Sequence, residues 1–232
     1  DDAAGRLLYT ERVPRRASEH HAARLLSLAD NRPASARNGA AIAPHLYPGD
    51  DDRRAVDALM AEQPSDRAIV ALAPGSVWGT KRWPYYREIT ERLAPRFRIA
   101  IIGGPDDAVL ARAISDVAGA DAINATGRLG VLASAELIRR ATILVTNDSL
   151  PQHLASAVGT PTITIFGPTV PSFGFGPLAP HSMTLGVETL PCRPCHHHGP
   201  RVCPLGHWRC MNDLGVDRVD AAVGVITAQV IG

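Results

Sequence analysis

The chain has 232 residues, of which 24 are Lys or Arg and 23 are Asp or Glu, and its formal net charge is +1 at pH 7. This near-neutral balance argues against a protein that binds nucleic acid by bulk neutralisation of phosphates, and no apolar run is long enough for a membrane span. With 45% hydrophobic and 20% charged residues, the composition is typical of a globular chain.

Residues 1–66 are predicted to form a peripheral or interdomain segment. Apolar residues at helical spacing predict one helix over 18–29, with Ser18 as its N-cap, and a second over 51–62. The stretch 32–52 is rich in Pro, Gly, Ala and Asp and predicts a linker or a short strand. Because the chain begins with Asp1 and shows no signal-peptide pattern, we expect a piece of a longer protein that is not secreted.

Residues 67–232 are predicted to form an α/β domain. Short apolar strands are expected at 68–73, 97–102, near 123, 142–146 and 162–166. Helical patterns at 84–93, 106–117, 131–140 and 150–158 alternate with them. This alternation predicts a parallel sheet with helices on both faces. The regularity ends after Gly167, and a final helix is expected over 216–230.

The loop after the first strand carries the first candidate site. It reads Pro74-Gly-Ser-Val-Trp-Gly-Thr-Lys-Arg-Trp-Pro84, and Lys81 in it is the one lysine of the chain. Glycines let a backbone approach a ligand closely, hydroxyls bind phosphate oxygens, and Lys81 places a cation before a helix. The alternative is a solvated loop whose lysine has no role. The spacing does not match a Walker A loop.

Two further loops follow strands. Thr146-Asn-Asp-Ser-Leu-Pro-Gln-His153 opens a helix whose N-terminal N–H groups attract an anion, although Asp148 or Ser149 could serve only as its N-cap. His153 would lie one turn into that helix, facing the core or a ligand. Gly103-Gly-Pro-Asp-Asp107 places an acid where it would bind ribose hydroxyls, but taken alone the pattern favours an ordinary turn.

Together these motifs resemble glycosyltransferase family 9, the ADP-heptose:lipopolysaccharide heptosyltransferases. The resemblance covers residues of about 8–230 and also rests on Gln152-His153, Gly159-Thr-Pro161 and Phe166-Gly-Pro-Thr169. The cysteine-containing motifs Cys192-Arg-Pro-Cys195 and Cys203-Pro-Leu-Gly-His207 are similar to the heptosyltransferase II branch. The resemblance implies a GT-B enzyme with two Rossmann-like domains, of which this chain carries the C-terminal, nucleotide-sugar-binding one.

The resemblance also implies an activity and its site residues. The reaction would be a metal-independent, inverting transfer of L-glycero-D-manno-heptose from ADP-heptose to a heptosyl–Kdo–lipid A core. Ser76 and Lys81 would contact the donor diphosphate, Asp107 the ribose and Asp148 the heptose, and Leu129 would line the adenine site. Lys81 would stabilise the leaving group as a catalytic residue.

The remaining donor-binding residues implied by the resemblance lie beside these: Val77, Ser149, Leu150 and His153. Leu150 departs from the family, which usually has glycine there, and a side chain at this position would crowd a diphosphate. The catalytic base belongs to the family's N-terminal domain, so no residue of this chain is assigned that role. The enzyme would work in the cytoplasm at the inner face of the inner membrane and would not bind nucleic acid.

The four cysteines are spaced C-x2-C-x7-C-x6-C within a Cys-rich insertion predicted over 190–212: Cys192, Cys195, Cys203 and Cys210. This spacing permits a structural zinc or iron ion, free structural thiols or disulfides. The histidines at 196–198 offer another interpretation, a basic patch with nearby arginines that receives lipopolysaccharide phosphates.

Two other functions stay open beside the enzyme: a non-catalytic nucleotide-sugar module and a metal-stapled interaction protein. Within the family, another sugar or acceptor is the alternative.

Overall fold

Six parallel strands form the centre of the fold in this computed structural model, which describes residues 12–14, 16–30 and 42–231. The order across the sheet is β3-β2-β1-β4-β5-β6. The strands are β1 (Ile69–Ala73), β2 (Arg98–Ile101), β3 (Ile123–Asn124), β4 (Ile143–Asn147), β5 (Thr162–Ile165) and β6 (Met183–Leu185). All neighbouring pairs are parallel, which confirms the predicted α/β fold class.

Helices connect the strands and precede or follow the sheet. They are α1 (His21–Asp30), α2 (Asp50–Ala61), α3 (Tyr86–Leu93), α4 (Ala108–Ser115), α5 (Val131–Arg140), α6 (Leu150–Val158), α7 (Arg209–Asn212) and α8 (Val216–Ile231). Within the described part of the chain, no helix is both long and apolar enough to cross a bilayer.

Both faces of the sheet are covered, as predicted. Alternate residues of β1 belong to different cores because successive side chains of a strand point to opposite faces. Val70 and Leu72 pack with residues of α3, α4 and α8, whereas Ala71 and Ala73 pack with residues of α2, α5 and α6. All five residues of β1 are buried, which is expected for a strand covered on both sides.

The strand order places a cleft between β1 and β4. The chain runs outward from β1 through β2 to β3, and then returns to the other side of β1 as β4. In such sheets the crevice for ligands lies beyond the carboxyl ends of the strands at the point where the order reverses. The loops after β1 and β4 therefore flank this crevice.

The structure differs from the sequence predictions at several elements. Strand β6 and helix α7 were not expected, because each has four residues or fewer and lies in the Pro-, Gly- and His-rich segment. A 3-10 turn at Pro105–Asp107 precedes α4. Helix α1 begins at His21, and the ring of the preceding residue, His20, accepts the N–H of Ala22 at 3.1 Å. Residues 32–41 of the predicted linker lie outside the described residues. The predicted domain boundary near residue 66 stays a prediction, although α2 packs against α5.

Candidate functional site

Two adjoining cavities lie at the carboxyl edge of the sheet. The Asp107 cavity, of ≈ 330 Å³, is lined by Gly75, Gly103, Asp107, Leu129 and Ser134 among others. The Lys81 cavity, of ≈ 390 Å³, is lined by Lys81, Asp148, His153 and Thr169 together with the histidines at 197 and 198. Four residues line both cavities: Ser76, Val77, Ser149 and Leu150. Every predicted donor-binding residue thus lines one or both cavities, most of them from the segments after β1 and β4, with Asp107 and Leu129 from the segments after β2 and β3.

Lys81 and Asp148 form a buried ion pair across the crevice. Lys81 lies in a 3-10 turn after β1, and its Nζ donates to Asp148 Oδ2 at 2.6 Å and to the Asp148 carbonyl at 3.2 Å. Each residue exposes only 8% of its surface. Charge-assisted hydrogen bonds in such a dry setting are stronger than in water, so the pair fixes two loops that are 67 residues apart in the sequence.

The Asp148 carboxylate has a second donor. The Thr169 hydroxyl, from the loop after β5, donates to the same Oδ2 at 2.7 Å. No hydrogen bond from the described residues reaches Oδ1. The carboxylate therefore faces the Lys81 cavity with one oxygen held by protein donors and the other available as an acceptor.

Asn147 holds the loop after β1 at both ends. Its side-chain Nδ2 donates to the Pro74 carbonyl at 2.8 Å, and its Oδ1 accepts the Trp83 N–H at 3.1 Å. Asn147 is fully buried at the end of β4. Because the segment between its two contacts contains Ser76 and Lys81, Asn147 fixes the position of both residues.

Asp107 stands directly over the glycine at the end of β1. A Cβ atom added to Gly75 would lie 2.4 Å from the Asp107 carboxylate, so only glycine leaves room for this side chain. Asp107 Oδ2 accepts the Gly104 N–H at 3.0 Å. The acidic group thus caps a turn, as the ordinary-turn interpretation predicts, and it also lines the Asp107 cavity.

The N-terminus of α6 points to the boundary between the two cavities. Ser149 has the extended N-cap conformation, but no side chain of the described residues caps the helix, and Ser149 Oγ instead contacts the Gly75 carbonyl at 3.4 Å. Pro151 removes one N–H of the first turn. Leu150 exposes 56% of its surface and Val77 exposes 89%, so two apolar side chains stand at this boundary.

His153 lies on α6 beside the Lys81 cavity and against Phe175, with ring centroids 6.5 Å apart. Burial lowers its pKa below the usual 6.5, and the nearby Asp148 carboxylate opposes this effect. The imidazole is therefore neutral at pH 7, with one donor and one acceptor nitrogen. This geometry fits the interpretation in which His153 faces a ligand.

Sequence reasoning assigned no role to three residues that support the site. Asn147 and Thr169 stood inside quoted motifs, and the rule that ligands bind beyond parallel strands pointed to both of them. The third residue is Arg82, which lines the Asp107 cavity and donates from Nε to the Ser76 carbonyl at 2.9 Å.

The four cysteines are unbridged. Cys195 is exposed, Cys192 and Cys203 are half-buried, and Cys210 is buried, which raises its pKa to about 11. Cys192 Sγ lies 3.8 Å from His207 Nε2. Across the described ranges, no group of three or more His, Cys, Asp or Glu side chains is arranged to hold a metal ion. The structural metal therefore stays a prediction.

Comparison with known proteins gives one matching family. The family model named glycosyltransferase family 9 (heptosyltransferase) matches residues 2–208. Lipooligosaccharide heptosyltransferase 2 of Haemophilus influenzae is 32% identical over 124 residues, which cover 50% of this chain and 35% of that protein. Lipopolysaccharide heptosyltransferase 1 of Pseudomonas aeruginosa is 34% identical over 123 residues, which cover 52% and 34%. The matched region thus spans about a third of these curated relatives.

Solved structures share the fold. A family 9 glycosyltransferase of Veillonella parvula has a TM-score of 0.75 at 20% identity, covering 94% of this chain and 63% of that chain. ADP-heptose lipopolysaccharide heptosyltransferase II of Escherichia coli has a TM-score of 0.64 at 21% identity, covering 80% and 54%. The dodecameric iron-containing heptosyltransferase TibC, solved with ADP-D-β-D-heptose, has a TM-score of 0.53 at 18% identity, covering 74% and 48%.

Proposed function

Because the chain belongs to glycosyltransferase family 9, we propose that it is the donor-binding half of an inverting heptosyltransferase. The proposed donor is ADP-L-glycero-D-manno-heptose, and the proposed acceptor is the heptosyl–Kdo–lipid A inner core of lipopolysaccharide. The observation that carries this proposal is the buried Lys81–Asp148 pair in the Lys81 cavity, next to the four residues that this cavity shares with the Asp107 cavity. We assign the nucleoside of the donor to the Asp107 cavity and its sugar to the Lys81 cavity.

The two cavities divide the donor between them. In the Asp107 cavity, Asp107 would accept hydrogen bonds from ribose hydroxyls, and Leu129 would pack against the adenine. The diphosphate would cross the junction between Val77 and Leu150, where Ser76, Ser149 and Lys81 supply donors. The heptose would lie in the Lys81 cavity with a hydroxyl on Asp148 and with His153 nearby.

The chemistry places two demands on the enzyme. The acceptor hydroxyl attacks the anomeric carbon of the heptose from the face opposite the diphosphate, a base takes the hydroxyl proton, and the bond to the diphosphate oxygen breaks. Negative charge then grows on the departing ADP. Lys81 supplies the compensating positive charge without a metal ion, and the N-terminus of α6 adds a partial positive charge. No residue of this chain is proposed as the base, which the resemblance to family 9 places in the family's N-terminal domain.

The partners and location follow from the proposed acceptor. A lipid-linked acceptor places the reaction at the inner face of the inner membrane, where a cytoplasmic protein would make peripheral contact. The near-neutral net charge of +1 argues against a nucleic-acid partner.

Calorimetry of the chain with ADP-heptose, ADP and UDP tests the proposed donor site. We expect ADP-heptose and ADP to bind, with UDP weaker because Leu129 and Asp107 would meet a different base and ribose placement. A turnover assay with the complete enzyme then separates catalysis from simple binding. Binding without turnover would indicate a non-catalytic nucleotide-sugar module, and binding of none of the three nucleotides would contradict the proposal.

A structural zinc or iron ion held by Cys192, Cys195, Cys203 and Cys210 is proposed for the Cys-rich insertion. Support comes from the spacing of the four cysteines and from TibC, which is described as iron-containing; in the described structure no three such side chains are arranged around one point, so binding would require them to move together. Metal analysis of protein purified without a histidine tag tests this proposal. We expect about one ion per chain, and its absence would leave the four thiols as free structural groups.

A further inference from the structure

The Asp148 carboxylate accepts hydrogen bonds from one charged and one neutral donor, and a bound ligand would affect these two donors differently. Lys81 and Thr169 both donate to Oδ2, at 2.6 Å and 2.7 Å. In the proposed function, a bound diphosphate draws the Lys81 ammonium toward itself. The Thr169 hydroxyl is buried and lies away from the residues shared by the two cavities, where the diphosphate is proposed to cross, so Thr169 remains as the donor that orients the carboxylate.

Thr169 is held in turn by an arginine of the Cys-rich insertion. Arg193 Nη2 donates to the carbonyls of Phe166 at 2.9 Å and of Thr169 at 3.1 Å. The same guanidinium also donates to the carbonyls of Gly167 and Val187. One planar group therefore binds four carbonyls and fixes the loop after β5, a geometry that lysine does not reproduce.

The backbone of the insertion reinforces this attachment. The Cys195 N–H donates to the Pro168 carbonyl at 3.1 Å. A Cβ atom on Gly186 would come within 2.7 Å of the Phe166 carbonyl and 2.9 Å of the Arg193 guanidinium, so the surroundings are closely packed. Thr169 itself exposes 1% of its surface. The loop has little freedom to change the direction of the Thr169 hydroxyl.

We propose that Thr169 and Arg193 are positioning residues that orient the free Oδ1 of Asp148 toward a sugar hydroxyl of the donor. Arg193 fixes the loop, Thr169 fixes Oδ2, and Oδ1 is left to accept from the sugar. This inference rests on the proposed function. It gives the Cys-rich insertion a role at the sugar end of the site that does not depend on a metal ion.

The experiment compares the affinities of ADP-heptose and ADP by calorimetry, because only ADP-heptose presents a sugar to Asp148. Thr169→Val removes the hydroxyl at nearly constant shape. We expect it to weaken ADP-heptose binding about tenfold, equivalent to about 1.4 kcal/mol, and to change ADP binding less than about twofold. Thr169→Ser, which keeps the hydroxyl, should bind both ligands like the wild type. An equal loss for both ligands, or no loss, would overturn the proposal.

A double-mutant cycle shows whether Thr169 acts through Asp148. In an Asp148→Ala background, which removes the carboxylate, Thr169→Val should cause no further loss of ADP-heptose affinity, because residues that act through one another are not additive. Additive losses would contradict the inference. If the wild type binds neither ligand, the proposed function fails first, and this inference fails with it.

Arg193→Lys provides a test that leaves Thr169 and Asp148 intact. We expect the same selective loss of ADP-heptose affinity, since an ammonium cannot bind four carbonyls at once. The matched control is Arg209→Lys in the same insertion, where Arg209 is 58% exposed and paired with Asp213. Arg209→Lys should leave both affinities unchanged, and equal effects of the two substitutions would overturn the role of Arg193.

Discussion

At the scale of single residues, the structure explains why a chain with 24 basic residues has a lysine at position 81. The Lys81 stem is packed tightly, since a Cβ atom on Gly199 would lie 3.2 Å from its Cγ and Cε atoms. The ammonium then reaches both the side chain and the carbonyl of Asp148. A compact point charge fits this enclosed position, whereas a guanidinium fork needs more space and more acceptors.

We predict that Lys81→Ala weakens ADP binding by roughly 10- to 100-fold, because hydrogen bonds to charged groups contribute about 1.5–3 kcal/mol. Lys81→Arg should restore little of this affinity. Calorimetry with ADP measures both variants, and Arg87→Ala, on the exposed surface of α3, is the matched cation control. Wild-type affinity in Lys81→Arg would show that any cation suffices at this position.

Gly75 provides a second prediction at this scale. Gly75→Ala would place a methyl group 2.4 Å from the Asp107 carboxylate and force that side chain out of its position. We therefore expect weaker ADP binding. The matched control is Gly224→Ala in α8, where nothing lies within 4 Å of the added atom and where alanine should stabilise the helix by about 0.5–1 kcal/mol. Unchanged ADP affinity in Gly75→Ala would argue against a ligand contact by Asp107.

At the scale of elements, local patterns predicted the parts of the sheet that are buried on both faces. The apolar runs of β1 and β4 and the helical spacing of α5 and α6 are visible in short windows of sequence. Strand β6 was missed because its three residues at the sheet edge, two half-buried and one exposed, carry no such pattern. The contacts of Asp148 with Thr169 and Lys81 join residues 21 and 67 positions apart, so they depend on strand order rather than on local sequence. The motifs indicated the loops, but the fold decided which side chains meet.

Helix α5 carries a buried carboxylate that predicts an acid-sensitive step. Hydrogen bonds from Arg139 and then from Arg140 lower the pKa of Glu136 to about 2, from an ordinary value of 4.5. A lowered pKa in the folded state means that the stabilisation is complete above about pH 4.5 and is lost as the pH falls toward 2. Arg140 also pairs with Asp57 of α2, so the loss affects the packing of α2 on α5.

We predict that this group accounts for about 2 kcal/mol of the unfolding free energy lost between pH 6 and pH 3. Urea unfolding at the two pH values measures the loss, which should be smaller by about this amount in Glu136→Gln. Glu88→Gln, on the exposed surface of α3, is the matched control and should keep the wild-type pH dependence. An identical pH dependence in the wild type and Glu136→Gln would rule out the assignment.

At the scale of the whole molecule, the reversal of strand order between β1 and β4 brings the loops of two half-sheets against one another. The Cys-rich insertion closes the Lys81 cavity from a third side, since the Thr80 hydroxyl donates to the Pro200 carbonyl and Gly199 packs on Lys81. A ligand that spans both cavities would therefore connect parts of the chain that contribute to separate cores. Binding should stabilise the folded chain as one unit.

Thermal unfolding tests this expectation. ADP at 100 times its dissociation constant should add about 2.7 kcal/mol to the unfolding free energy, which for a chain of this size raises Tm by about 5–10 °C. Adenosine keeps the contacts proposed for the Asp107 cavity but has no diphosphate for Lys81, so it should raise Tm much less at the same concentration. Lys81→Ala should reduce the ADP shift toward the adenosine value, because the contact that distinguishes the two ligands is then missing. Equal shifts with ADP and adenosine in the wild type would show that the diphosphate does not contact Lys81.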